Sequence, residues 1–207
     1  MQIIPALLVQ DRETLIERMR LAEGLAECVH IDCMDGIFVP NKTWHNAEAL
    51  ETSLEIELHL MVNDPLSVIR EWRRVPQTVR ALWHVEVDTD HRQLIEVCRA
   101  LGWECGLAIS PDTSVDTLSP FTELIDEVLV MGVKPGFSGQ TVIPATFEKI
   151  REIKKRWPAL RAGFDGGATK DLIPTLREYD CDRLVMASAI YSANDPRETL
   201  HGILNSI

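Results

Sequence analysis

Eight short apolar runs alternate along this chain with amphipathic stretches, and no other feature restricts the fold as much. The runs are QIIPALL (2–8), CVHIDCM (28–34), IELHLMV (56–62), RALWHVEV (80–87), ECGLAIS (104–110), EVLVMGV (127–133), LRAGFDGG (160–167) and RLVMASAI (183–190). Runs of this kind read as buried strands. Helical periodicity lies between them. Leu15, Met19 and Ala22 recur at i, i+4, i+7, as do Leu94, Cys98 and Leu101, while Phe147, Ile150 and Ile153 repeat every third residue.

Helix boundaries are written into the same intervals. Asp195-Pro196-Arg197-Glu198 offers an Asp cap, a proline at the first helical position and a glutamate at the third, and Asp64-Pro65 reads the same way. Asp90 and Thr169 are further cap candidates, and Gly102 is a helix stop after Leu101.

Eight strands with intervening helices fit either a closed (β/α)8 TIM barrel or an open doubly wound sheet. An open sheet would place a glycine-rich turn after its first strand; here that strand runs into VQDRE. The glycine clusters fall late, which matches the barrel, whose phosphate site is usually built from its last loops. No linker or low-complexity segment divides the 207 residues, so residues 1–207 are expected to form a single barrel domain.

Composition narrows the partners. With 21 Lys and Arg against 32 Asp and Glu, the formal charge is −11, which argues against nucleic acid and against an anionic membrane surface. The five cysteines are odd in number and never spaced as CxxC, as expected of free thiols in a reducing compartment. The start, MQIIPALLVQDRE, lacks a basic leader segment, and no apolar run nears the roughly 20 residues needed to span a bilayer. A cytoplasmic protein acting on a small molecule is the expectation.

In a barrel, alternate strand residues point into the lumen. That parity puts His30, Asp32 and Met34 on one face of the second strand, His59 and Met61 on one face of the third, and Gly163 with Asp165 on one face of the seventh. Any one of these polar residues could be a hydrogen-bonded core residue or a helix cap. Two carboxylates buried together without cations would be costly, and a divalent metal removes that cost. His30, Asp32, His59 and Asp165 form a mixed N/O set suited to one Zn, Fe(II), Mn or Co ion. His45, His84, His91 and His201 lack such company, although His84 shares the lumen-facing parity and suits a supporting role.

A second constellation suits an anion. KPGFSGQ (134–140), DGG (165–167) and MAS (186–188) follow the last three strands, where glycines let backbone N–H groups approach a phosphate closely. Lys134 is the one nearby cation that could assist.

The blocks HIDCMDGIFVPN, ELHLMVNDP, WHVEV, GLAISPDTSVDTL, VLVMGVKPGFSGQTVIPATFEKI, FDGG and ASAIY resemble, in order, those of the ribulose-phosphate 3-epimerase family, from about Ile3 to Pro196. The resemblance implies a (β/α)8 barrel with a divalent metal on His30, Asp32, His59 and Asp165. It implies Asp32 and Asp165 as the acid/base pair, and Met34, Met61 and Met131 as site lining. It further implies substrate and phosphate contacts from His59, Gly136, Phe137, Ser138, Gly139, Gly166, Gly167 and Ser188. The expected activity is interconversion of D-ribulose 5-phosphate and D-xylulose 5-phosphate through an enediolate. Because the family includes oligomers of more than one size, a homo-oligomer is admissible, although the sequence shows no strong self-association signature.

The chain departs from the family pattern in places. Ala6 stands where the family has a substrate-contacting serine, Ala187 where a glycine is usual and Ser138 where a glycine is common; Trp44 and His45 replace smaller or apolar residues. These changes leave two alternatives open: a 3-epimerase of another ketose phosphate such as allulose 6-phosphate, and a non-catalytic sugar-phosphate-binding barrel. A decarboxylase or aldol-type synthase of the D-x-K-x-x-D type is disfavoured, since Cys33-Met34 follows Asp32 with no lysine two residues on.

Overall fold

A computed structural model describes residues 1–207. Its eight strands are β1 (Gln2–Leu7), β2 (Cys28–Met34), β3 (Glu55–Met61), β4 (Thr78–His84), β5 (Glu104–Ile109), β6 (Glu127–Met131), β7 (Arg161–Asp165) and β8 (Arg183–Met186). All pair in parallel with their sequence neighbours, and β8 returns to β1, closing the barrel. Seven helices follow in order: α1 (Arg12–Ala22), α2 (Pro65–Trp72), α3 (His91–Ala100), α4 (Phe147–Arg156), α5 (Ile173–Glu178), α6 (Ser188–Tyr191) and α7 (Pro196–Leu204). None is long and apolar enough to cross a membrane.

The helix signals act as their chemistry requires. Asp64, Asp90 and Asp195 accept backbone N–H groups of the first turns of α2, α3 and α7, and Gly102 takes a positive φ of 75° after α3. Thr169 sits at a helix start but makes no side-chain cap bond. Replacing Asp195 by alanine leaves the Glu198 N–H, now 2.9 Å from Asp195 Oδ1, without its acceptor. The expected cost is about 1 kcal/mol, read as a lowered urea midpoint at unchanged m-value.

Two strand ends differ from expectation. β4 stops at His84, and Val85–Val87 form a turn in which the Val87 N–H bonds back to His84 O. β8 stops at Met186, and Ser188–Ile190, read from the sequence as strand, begin α6. The last register pair is Pro5 with Met186. The chain then turns through Ala187, whose carbonyl accepts from Ile190 and Tyr191.

Strand parity sorts the core into two. Outward residues such as Ile31, Cys33, Leu58, Leu60, Ala162 and Phe164 join Leu15, Met19, Trp72, Leu94, Cys98, Ile150 and Ile153 between sheet and helices. Ile4, Ala6, Leu82, Ala108, Leu129, Met131 and Val185 plug the lumen. Nearer the N-terminal ends of the strands, the floor of the lumen is charged: Glu57, Arg80, Glu127 and Arg183 are all buried. Gly163 makes room there, for a Cβ at that position would lie 2.5 Å from Glu127 Oε1. All five cysteines are buried and free.

Candidate functional site

The four polar residues picked out by parity converge at the C-terminal end of the lumen, where barrel enzymes place their chemistry. Register sets Asp32 beside His59, and Met131 beside Asp165. One ligand atom from each of His30, Asp32, His59 and Asp165 lies within 4.8 Å of all the others. His59 Nδ1 is 3.1 Å from Asp32 Oδ1 and 3.4 Å from Asp165 Oδ2. His30 Nε2 is 3.3 Å from Asp32 Oδ1 but has no hydrogen-bond partner, although the residue is wholly buried.

Behind this group stands a second tier of contacts. His30 Nδ1 meets Glu57 Oε1 at 2.6 Å, and His59 Nε2 meets His84 Nε2 at 3.1 Å. His84 Nδ1 lies 3.1 Å from Glu86 Oε2, and the other oxygen of Glu86 accepts from the Ser110 N–H at 2.8 Å and from the Thr113 hydroxyl. Burial works against an ionised Glu86, but the His84, Thr113 and Ser110 hydrogen bonds outweigh it and lower its pKa to about 2. An ionised Glu86 accepts a hydrogen bond from His84 Nδ1–H; His84 Nε2 then accepts from His59 Nε2–H, and a neutral His59 turns the lone pair of Nδ1 toward Asp32 and Asp165. His84 thus supports the site from behind.

Two imidazole lone pairs and two carboxylates aimed at one another need positive charge between them. In the bare protein, protons supply it. Burial opposes a charge on His30, yet the Asp32 and Glu57 carboxylates outweigh burial and raise its pKa to about 10. Burial likewise works against ionised Asp32, but the neighbouring His30 and His59 imidazoles hold it well below the usual carboxylate range. The donor set and the orphaned Nε2 fit a divalent cation, which would occupy the same focus.

Above the four donors opens a cleft. Asp32, Met34, Met61, Met131 and Asp165 form part of its wall, with Gly136, Phe137, Ser138, Gly139, Gly166, Gly167 and Ser188 from the three late loops. His59 does not line it, lying wholly buried beneath the two aspartates. Gly136, Gly139, Gly166 and Gly167 all have positive φ, and a Cβ on Gly167 would come 2.7 Å from the Val142 nitrogen. Lys134 does not assist: three-quarters of its side chain is exposed, and it points to Asp112 at 3.6 Å. Ala6 is buried in the apolar plug and adds no room to the cleft, which gives the larger-sugar alternative no support. Asp35 accepts the Ile37, Phe38 and Asn63 N–H groups and so shapes the turn after β2, with Gly36 at φ 79°.

Parity alone did not single out Glu57, Glu86 or the charged floor. Glu57 does share the inward parity of His59, two residues on.

Comparison with known proteins agrees with this architecture. Residues 2–191 match the model of the ribulose-phosphate 3 epimerase family. The chain is 31% identical to "Ribulose-phosphate 3-epimerase" of Bacillus subtilis, covering 99% of each chain. It is 31% identical to the "Ribulose-phosphate 3-epimerase, cytoplasmic isoform" of Oryza sativa, covering all of this chain and 94% of that one. Among solved structures, a mutant tryptophan synthase alpha-subunit from Pyrococcus furiosus superposes with a TM-score of 0.72 at 15% identity, covering 100% of this chain and 98% of that one. Orotidine 5'-monophosphate decarboxylase from Sulfolobus solfataricus superposes with a TM-score of 0.68 at 12% identity, covering 100% and 97%. These two likenesses concern the fold alone.

Proposed function

Since the chain belongs to the ribulose-phosphate 3-epimerase family, we propose that it interconverts D-ribulose 5-phosphate and D-xylulose 5-phosphate by moving a proton at C3, using one divalent ion. The observation that carries this reading is the convergence of Asp32, Asp165, His30 and His59 on one focus, with His30 Nε2 unpartnered.

Epimerisation requires removal of a weakly acidic C–H beside a carbonyl and return of a proton to the opposite face. Asp32 and Asp165 come from strands separated by β8 and β1, and both border the cleft, so a planar enediolate can lie between them. One carboxylate takes the C3 proton; the other, protonated, delivers one from the far side. A bound Zn, Fe(II), Mn or Co ion would supply Lewis-acid stabilisation of charge developing on the C2 and C3 oxygens. His30 and His59 would hold it together with the two aspartates. Met34, Met61 and Met131 keep water from the reacting carbon and strengthen the electrostatics around it. Backbone N–H groups of residues 136–139, 166 and 167, with Ser188, would take the phosphate, an arrangement that suits an anionic substrate on a chain of net charge −11. Buried free thiols and likeness to a cytoplasmic isoform support a cytoplasmic site of action.

The test is isotopic. Purified protein incubated with ribulose 5-phosphate in deuterated water should introduce deuterium at C3, and should stop doing so after complete metal removal by chelator. No exchange with any of the four metals would sink the epimerase reading. Exchange that persists in rigorously metal-free protein would remove the metal from it.

A further inference from the structure

Glu57 lies outside the cleft, and the proton transfers make no use of it. Its two oxygens are nonetheless divided. Oε2 is occupied by two guanidinium groups, Arg80 at 2.6 Å and Arg183. Oε1 has one neighbour, His30 Nδ1 at 2.6 Å. Both residues are wholly buried, so no water competes for that bond. With two arginines on Oε2, the carboxylate is ionised and has no proton to give. The hydrogen on the Oε1···Nδ1 contact therefore sits on the imidazole. A neutral His30 with its proton on Nδ1 carries its lone pair on Nε2, the atom left without a partner beside Asp32.

We infer that Glu57, clamped by Arg80 and Arg183, is a positioning residue that fixes the tautomer and ring orientation of His30 and so presents Nε2 to the metal. The inference rests on the metal reading above and adds to it a functional role for the charged floor. Glu127 completes the charge balance there, bonding Arg183 and lying 3.8 Å from Arg80, but it does not appear among the contacts of His30.

Glu57→Gln is the informative variant. An amide can donate its NH2 to Nδ1, which would drive the imidazole proton to Nε2 and remove that ligand. Zinc affinity, measured by chelator competition on the folded protein, is expected to weaken about 10–100-fold. Glu127→Gln removes an equal charge from the same floor and should leave zinc affinity within about threefold. Should E57Q bind zinc as tightly as wild type, or E127Q weaken it equally, the inference is wrong. Wild-type protein that binds no zinc, manganese, cobalt or ferrous ion would instead overturn the metal reading and this inference with it. If E57Q does not fold, nitrogen-15 NMR of the histidine rings in zinc-loaded wild type decides the matter. A protonated Nδ1 with a metal-bound Nε2 on His30 is expected, and the reverse assignment refutes the proposal.

Discussion

Asp165→Asn is expected to abolish epimerisation, by at least the 10²–10⁴-fold that a positioned acid/base contributes, in a barrel that stays folded. An amide is isosteric with the carboxylate but cannot accept a proton from carbon. Asp165 ends β7 with its side chain bordering the cleft, and none of its backbone pairing depends on the carboxylate. Asp32→Asn should be equally inactive, because Asp32 both serves one face of the substrate and faces His30 Nε2 and His59 Nδ1. The two variants should fail in different ways. With Asp165 lost, Asp32 still serves one face, so slow deuterium wash-in is expected into one epimer and not the other, without interconversion. Asp32→Asn should favour the opposite epimer, and because both aspartates belong to the four-residue set, both variants should bind the metal more weakly. Near-native turnover in either variant would show that the roles are wrongly assigned. A D165N enzyme that still converts one epimer into the other would point to a single base acting on both faces.

The four donors of this site were legible in the sequence because strand parity is local. Once CVHIDCM and IELHLMV are strands, the shared face of His30 and Asp32, or of His59 and Met61, follows from a two-residue repeat. Parity carries no information across the lumen. Glu57, Arg80, Glu127 and Arg183 lie on four strands spread from residue 57 to residue 183, and their meeting depends on how the closed barrel staggers them. The same holds for Glu86, which reads as a residue of the fourth run but leaves the strand and reaches back to His84. The end of β8 was misread for a different reason. MASAI is apolar apart from Ser188 and prolongs the apolar run of β8, whereas the chain turns at Ala187 into α6. Lys134 was misjudged because sequence placed it in the phosphate loop, whereas its long side chain extends to Asp112 at the surface. Nothing in the structure explains why Trp44 and His45 differ from the family pattern.

Arg183→Met should be the most destabilising single change at the floor, by about 3–5 kcal/mol at neutral pH, because it strips a cation from a buried group without removing the anions it pairs. In the native floor, Arg80 and Arg183 face Glu57 and Glu127, two charges of each sign. Without Arg183, Glu127 keeps only the more distant Arg80 at 3.8 Å, which is shared with Glu57 and Glu104, and the part-exposed Arg161 at 3.9 Å. The pH dependence separates this account from simple loss of packing. Burial already raises Glu127 above its ordinary 4.5, while Glu57 is held below 4.5 because its arginines and His30 outweigh burial. A group raised in the folded state favours folding below its unfolded pKa, and that advantage is lost as pH rises through the folded value. The variant raises Glu127 further, so its deficit relative to wild type should be largest at pH 7 and narrow toward pH 5. Over the same interval Glu57 keeps its contribution, since a depressed carboxylate stabilises above its unfolded pKa of about 4.5 and fails only as pH falls below it. Urea titrations at the two pH values measure the gap; a deficit that is constant with pH, or below about 1 kcal/mol at pH 7, contradicts the charge argument. Combining Arg183→Met with Glu127→Leu leaves Arg80 and Glu57 as a balanced pair. The double variant should recover most of the lost stability, a non-additivity expected only if the two side chains act through each other.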